Sequence, residues 1–252
     1  MVDHRRFDAI LFDLGDTLLY FDSDWPMVFT EARQAMLHSL QTSGLHVGGE
    51  FLDDFYSRME AYYQERESEF IEHTTHYVLC VTLADWGYKN FPDQVLRAAL
   101  AAFHRVTQAH WHPEEDAIPA LRGLRGMGYR LAAVSNAADD ANTQVLVDKL
   151  GARPYLEFVL SSAEHGTRKP NPKIFRAALQ RLSVSPNRAV MVGDTLGADI
   201  LGAHNSGIFA IWITRRADTS ANRAHADTIK PDATIASLSE LPTLMGQLDA
   251  FG

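Results

Sequence analysis

An apolar run, Ala9 to Phe12, ends abruptly in Asp13, Gly15 and Asp16, with Thr17 behind them, in the stretch AILFDLGDTLLYFD. The pattern recurs. The run YRLAAVS ends in Ser135 and continues to Asn136, the segment GTRKPNPKIF carries Lys169 ahead of a helix-like stretch, and RAVMV runs into GDTLGAD with Asp194 and Asp199. Carboxylates brought together repel one another unless a cation sits between them, and oxygen donors without His or Cys suit magnesium. A carboxylate beside such an ion can act as a nucleophile toward phosphorus, forming an aspartyl-phosphate. In that arrangement Lys169 offsets the crowded negative charge and holds a phosphate oxygen, while the Ser135 hydroxyl and nearby backbone N–H groups donate to it.

Such convergence demands an architecture that delivers strand ends to one place. The carboxyl-terminal half alternates short apolar runs with amphipathic stretches: strands are expected at 129–135, 157–161, 188–192 and 208–213, with a weaker one at 232–235. Helices are expected near 138–151, 171–182 and 196–206, with Gly151 and Gly207 as stops. Alternation of this kind implies α/β structure, a doubly wound, Rossmann-like parallel sheet covered on both faces, with 7–13 as a central strand. Ligands bind at the carboxyl ends of strands in such sheets. The zone from 20 to 112 differs, because it carries helical-period segments such as DQVLRAALAAFHRV and few β-branched runs. It reads as an inserted, all-helical cap domain at 20–112, leaving 1–19 and 113–252 as the α/β core.

The chain has 252 residues, 46% of them apolar, and a formal net charge of −9, which argues against nucleic-acid and anionic-membrane partners. An anionic substrate therefore needs a local positive site. Cys80 is the single cysteine, so no intrachain disulfide is possible, and no apolar signal segment follows the initial charges. A cytoplasmic location is the expectation.

These four segments, in this order, resemble the motifs of the haloacid dehalogenase superfamily in its helical-cap branch, and VMVGDTLGADILGAHNSGI is similar to the usual fourth motif. The resemblance implies a magnesium-dependent phosphatase of small phosphorylated metabolites. It makes Asp13 the nucleophile, has Thr17 support the first loop, and gives phosphate binding to Ser135 and Lys169, with Asn136 beside them. Magnesium falls to Asp13, the Gly15 carbonyl and Asp194, with Asp199 direct or through water. Simpler roles also fit Ser135 and Asn136 as helix caps, and Asp199 as a first-turn acid.

Position 15 departs from the pattern. Phosphatases of this family place there an Asp that protonates the leaving group; glycine keeps the carbonyl ligand and removes the acid, a loss of about 10²- to 10⁴-fold for general acid catalysis. Asp16 can substitute only if the turn rotates it inward. The 2-haloacid dehalogenases and the phosphonate hydrolases also lack an Asp at this place. The former, however, resemble SSN at the fourth motif and place Tyr where Phe175 sits, while the latter need a cap lysine, and the insertion offers only Lys89. A weakly active phosphate-binding or regulatory protein is the remaining alternative. His73, His76, His110 and His112 lack a soft-ligand cluster, and Trp25, Tyr62, Tyr63 and Tyr77 divide between cap packing and pocket lining.

Overall fold

Four consecutive buried residues, Ala9–Phe12, form strand β1, and the absence of polar alternation is what a strand covered on both faces requires. The structure is a computed structural model that describes residues 5–250. The other strands are β2 (Leu19–Phe21), β3 (Trp111–Pro113), β4 (Arg130–Ser135), β5 (Val159–Ser161), β6 (Ala189–Gly193), β7 (Phe209–Ile213) and β8 (Ala233–Ile235). Six of them make one parallel sheet in the order β5-β4-β1-β6-β7-β8. One face is covered by a core around Phe7, Phe12, Leu121, Leu131 and Val147, the other by Leu11, Phe175, Leu179, Met191 and Ile208.

Helices α1 (Trp25–Thr42), α2 (Gly49–Glu69), α3 (Thr75–Asp85) and α4 (Asp93–Ala109) constitute a helical insertion between β2 and β3. They close around their own apolar cluster, with Met36, Leu40, Phe51, Phe55, Leu79 and Leu100 buried at its centre. Downstream, α5 (Ala117–Gly126), α6 (Asp140–Leu150), α7 (Ser162–His165), α8 (Pro172–Leu182), α9 (Leu201–Asn205), α10 (Ser220–His225) and α11 (Leu241–Ala250) complete the chain.

Several features were not expected, α10 and α11 among them. The chain enters and leaves the insertion through an antiparallel ribbon, β2 on β3, with Tyr20 opposite His112 and Phe21 opposite Trp111. Three-residue strands are too short to show a period of two. The stretch expected as one helix over 196–206 is instead a π-turn, Leu196–Ile200, leading into α9, and π-turns commonly mark functional positions. The weak strand at 232–235 is present as β8.

Candidate active site

The sheet order reverses at β1, since the chain proceeds outward through β4 and β5 on one side and then crosses to β6, β7 and β8 on the other. A crevice opens at the carboxyl ends of strands at such a switch point. Asp13 follows β1, Ser135 ends β4 and Asp194 follows β6, so three neighbouring strands deliver these groups to one spot. The Asp13 N–H donates to Val192 O at 2.9 Å, tying the first loop to β6. Beyond it the chain winds around one carbonyl, with the N–H groups of Leu18 and Leu19 donating to Leu14 O at 2.8 and 2.9 Å. Thr17 lies within this turn, fully buried, its hydroxyl without a hydrogen-bond partner among the described residues.

One oxygen from each of Asp13, Asp194 and Asp199 lies within 4.8 Å of the others. A single ammonium faces them. Lys169 Nζ stands 2.7 Å from an oxygen of Asp13 and 2.7 Å from one of Asp199, and donates at 2.8 Å to Val134 O. Burial alone would lower the Lys169 pKa, but the charges of Asp13 and Asp199 overcome it and the net shift is upward. Asp194 is pushed up to about 8 by burial and then by the charges of Asp199 and Asp13. Asp199 is pushed up to about 6, again chiefly by burial, with Lys169 opposing. Three carboxylates against one lysine leave a surplus of negative charge, and an all-oxygen donor set of this kind fits a hard divalent cation.

The fourth motif is held from several sides. The Asp194 carbonyl accepts from Trp212 Nε1 at 2.7 Å and from Asn222 Nδ2 at 2.9 Å, while Asn222 Oδ1 accepts from Leu196 N–H at 2.8 Å. Asp199 Oδ2 accepts from the Thr195 N–H at 3.0 Å. A Cβ on Gly193 would lie 2.3 Å from the Asp199 carboxyl, so only glycine leaves room for it. Asn222 and Trp212 were missed by sequence reasoning, because neither lies in or beside a motif.

Asn136 binds the third motif through both ends of its amide, accepting from Lys169 N–H at 2.8 Å and donating to Lys169 O at 3.0 Å. Ser135 is buried and lines the crevice. Gly15 has an ordinary backbone conformation, whereas Asp16 is left-handed at φ 55°. Asp16 lines the same crevice, and its pKa is raised by burial and then by Asp13. A Cβ on Gly15 would meet the Trp111 ring at 3.4 Å, an ordinary contact.

A cavity of about 770 Å³ extends from these groups into the insertion, where Phe29, Phe55, Met59, Phe103 and Trp111 line it. Trp25 and Tyr63 line it too, while Tyr62 is buried against Glu72 and Tyr77 is exposed. His110 and His112 both face Asp22, at 3.1 and 2.8 Å, and His76 pairs with Asp93 at 2.7 Å. Beyond the ribbon the insertion touches the core at several points, Thr75 N–H to Ala138 O at 3.0 Å and Gln108 Nε2 to Asn142 Oδ1 at 2.9 Å among them. The fully buried Glu72 carboxylate accepts from Ser162 Oγ at 2.6 Å, from Tyr62 OH at 2.9 Å and from Arg168 Nη1. Backbone bonds flank it, Glu72 N–H to Gly166 O at 3.1 Å and Arg168 N–H to Phe70 O at 2.8 Å. Arg168 adjoins Lys169 in sequence, yet nothing in the sequence singles out Glu72 as its partner.

Comparison with known proteins agrees with this geometry. The model of the haloacid dehalogenase-like hydrolases matches residues 7–207. A glyceraldehyde 3-phosphate phosphatase of Methanopyrus kandleri is 33% identical over 95% of this chain and 97% of its own. Among solved structures, a 2-haloacid dehalogenase of Pseudomonas syringae pv. Tomato superposes with a TM-score of 0.65 at 27% identity, covering 96% of this chain and 99% of its own. A HAD phosphatase of Thermococcus onnurineus does so with 0.62 at 25% identity, covering 95% and 98%. Among the described residues no helix is long and apolar enough to cross a membrane. With six parallel strands carrying the four motifs to one crevice and a helical insertion above it, the chain belongs to the haloacid dehalogenase-like hydrolases.

Proposed function

We propose that the protein is a magnesium-dependent phosphatase of small phosphorylated metabolites, acting through an aspartyl-phosphate on Asp13. The observation that carries this reading is the surplus charge of Asp13, Asp194 and Asp199 against one lysine. Asp13, Asp194 and the Gly15 carbonyl would hold the ion, with Asp199 supporting. When bound, magnesium supplies charge neutralisation for an approaching phosphate dianion. Asp13, the most exposed of these acids, attacks phosphorus, and the bond to the leaving oxygen breaks. Lys169 holds Asp13 and a phosphate oxygen, and Ser135 donates to another. Water then attacks phosphorus to release phosphate and free Asp13. Glyceraldehyde 3-phosphate is one substrate to test, because of the relative from Methanopyrus kandleri. We also infer that residues 20–112 work as a cap domain over a core of 1–19 and 113–252.

The structural likeness to a 2-haloacid dehalogenase keeps a second reading in view. Asp194 speaks against it, because a carbon-halogen displacement by Asp13 gains nothing from an added carboxylate without a cation. Phosphonate hydrolysis lacks support as well, since Lys89 lies between α3 and α4 and does not line the cavity. The test is turnover of 4-nitrophenyl phosphate. Activity is expected with magnesium, loss on chelation and loss in Asp13→Asn, with no halide released from 2-chloropropionate. Halide release together with magnesium-independent behaviour would overturn the phosphatase reading.

A further inference from the structure

The walls of the cavity differ sharply between its two ends. At the sheet it is polar, with Asp13, Asp194, Asp199 and Lys169 beside Ser135 and Asn136; within the insertion, α1, α2 and α4 present Phe29, Phe55, Met59 and Phe103, with Phe29 and Phe103 packed edge to face at 5.2 Å. The ribbon adds Trp111. Its volume of about 770 Å³ falls within the range of pockets that enclose whole drug-sized ligands. A three-carbon organic group would leave most of that space to water held against aromatic walls, which is unfavourable.

Charge narrows the occupant further. Among the described residues, the basic side chains that line the cavity are Arg168, Lys169, His104 and His225; Arg168 is held by Glu72, Lys169 by Asp13 and Asp199, and His104 faces Asp139 at 3.4 Å. Neither the lysine nor the arginine is left over for a substrate carboxylate or a second phosphate, and Asp16 on the same walls would repel one. Position 15 points the same way by independent chemistry. Where an acid would assist the leaving oxygen there is a glycine with an aromatic ring packed over it, so a leaving group that departs without a proton is favoured.

We propose that the substrates are phosphomonoesters of an uncharged, ring-bearing alcohol, best an aryl ester, with the ring seated between Phe29, Phe55, Phe103 and Trp111. This rests on the phosphatase reading above. In the reaction the Asp13 carboxylate oxygen bonds to phosphorus, and the phosphorus–oxygen bond to the ring-bearing group breaks. The electron pair leaves on that oxygen, which then takes a proton from water.

The experiment compares propyl phosphate with 3-phenylpropyl phosphate, two esters with nearly the same leaving-group basicity that differ by one ring. Acetyl phosphate serves as an activated, ringless control, and all three are assayed with magnesium. The ring is expected to raise kcat/KM at least tenfold, 3-phenylpropanol to inhibit competitively where propanol does not, and Phe29→Ala to cut the ring's advantage at least threefold. Turnover of acetyl phosphate with no advantage from the ring, or a preference for glyceraldehyde 3-phosphate over every ring ester, would overturn the substrate class and leave the phosphatase reading standing. No magnesium-dependent turnover of any phosphate compound, acetyl phosphate included, would overturn both.

Discussion

At the carboxyl end of β6, Asp194 is the residue where the proposed function and stability oppose each other. Its folded pKa of about 8 stands above the ordinary value of 3.8, so the metal-free folded state holds a proton that the unfolded chain has lost. The stability linked to that proton is fully present below the ordinary pKa and disappears as pH rises toward 8. Asp194→Asn is therefore expected to raise the melting temperature of the magnesium-free protein at pH 8 and to weaken magnesium binding at least tenfold; calorimetry and thermal melts with and without magnesium check both. An unchanged affinity would mean that the ion sits elsewhere. Gly15 poses a second question at this scale. Its ordinary backbone removes the conformational obstacle to a side chain, and the nearest neighbour of an added Cβ, the Trp111 ring edge, stands at an ordinary 3.4 Å. Gly15→Asp is expected to speed alkyl phosphates more than aryl phosphates, by up to the roughly 10²- to 10⁴-fold that a general acid supplies. Equal effects on the two classes would assign the proton transfer to another group, with Asp16 the nearest candidate in the turn. Asp13 and Asp194 were legible in the sequence because each follows an apolar run, and Lys169 and Asp199 because they stand in short motifs beside helix starts. Their supports were not: Asn222 lies 28 residues beyond Asp194, and its part depends wholly on how α10 folds back.

The strands of the sheet were legible because burial on both faces writes itself as unbroken apolar runs, as in Ala9–Phe12 and Ala189–Gly193. What escaped were elements too short for any period, the β2–β3 ribbon above all, and the π-turn, which shares a helix's composition. The contact between the insertion and the core escaped for a different reason. Glu72 and Arg168 are 96 residues apart, and a buried ion pair leaves no mark on local pattern. Removing one partner of such a pair strands the other charge, typically at a cost of about 3–5 kcal/mol. Because Glu72 joins the loop between α2 and α3 to the loop before Lys169, Glu72→Ala is expected to loosen the insertion from the core before it unfolds either. Hydrogen exchange should quicken at the amides of residue 72 and Arg168 while β1 and β4 stay protected. Equal acceleration throughout the sheet would show instead that the pair stabilises the whole fold.

Across the whole molecule, an acidic chain with a net charge of −9 places Lys169 where Asp13, Asp194 and Asp199 crowd together, leaving a surplus of negative charge that a cation would balance. The sheet supplies the charges and their anchorage; the insertion supplies the apolar part of the cavity. In the function proposed, both parts serve one covalent step, the transfer of a phosphoryl group to Asp13. That step is read most directly by quenching the magnesium-loaded enzyme in acid during turnover of an aryl phosphate and locating the phosphoryl group by peptide mass spectrometry. The account predicts one phosphoryl group on the peptide that contains Asp13, absent without magnesium and absent in Asp13→Asn. Steady turnover with that peptide unmodified, or a phosphoryl group on any other residue, would contradict it.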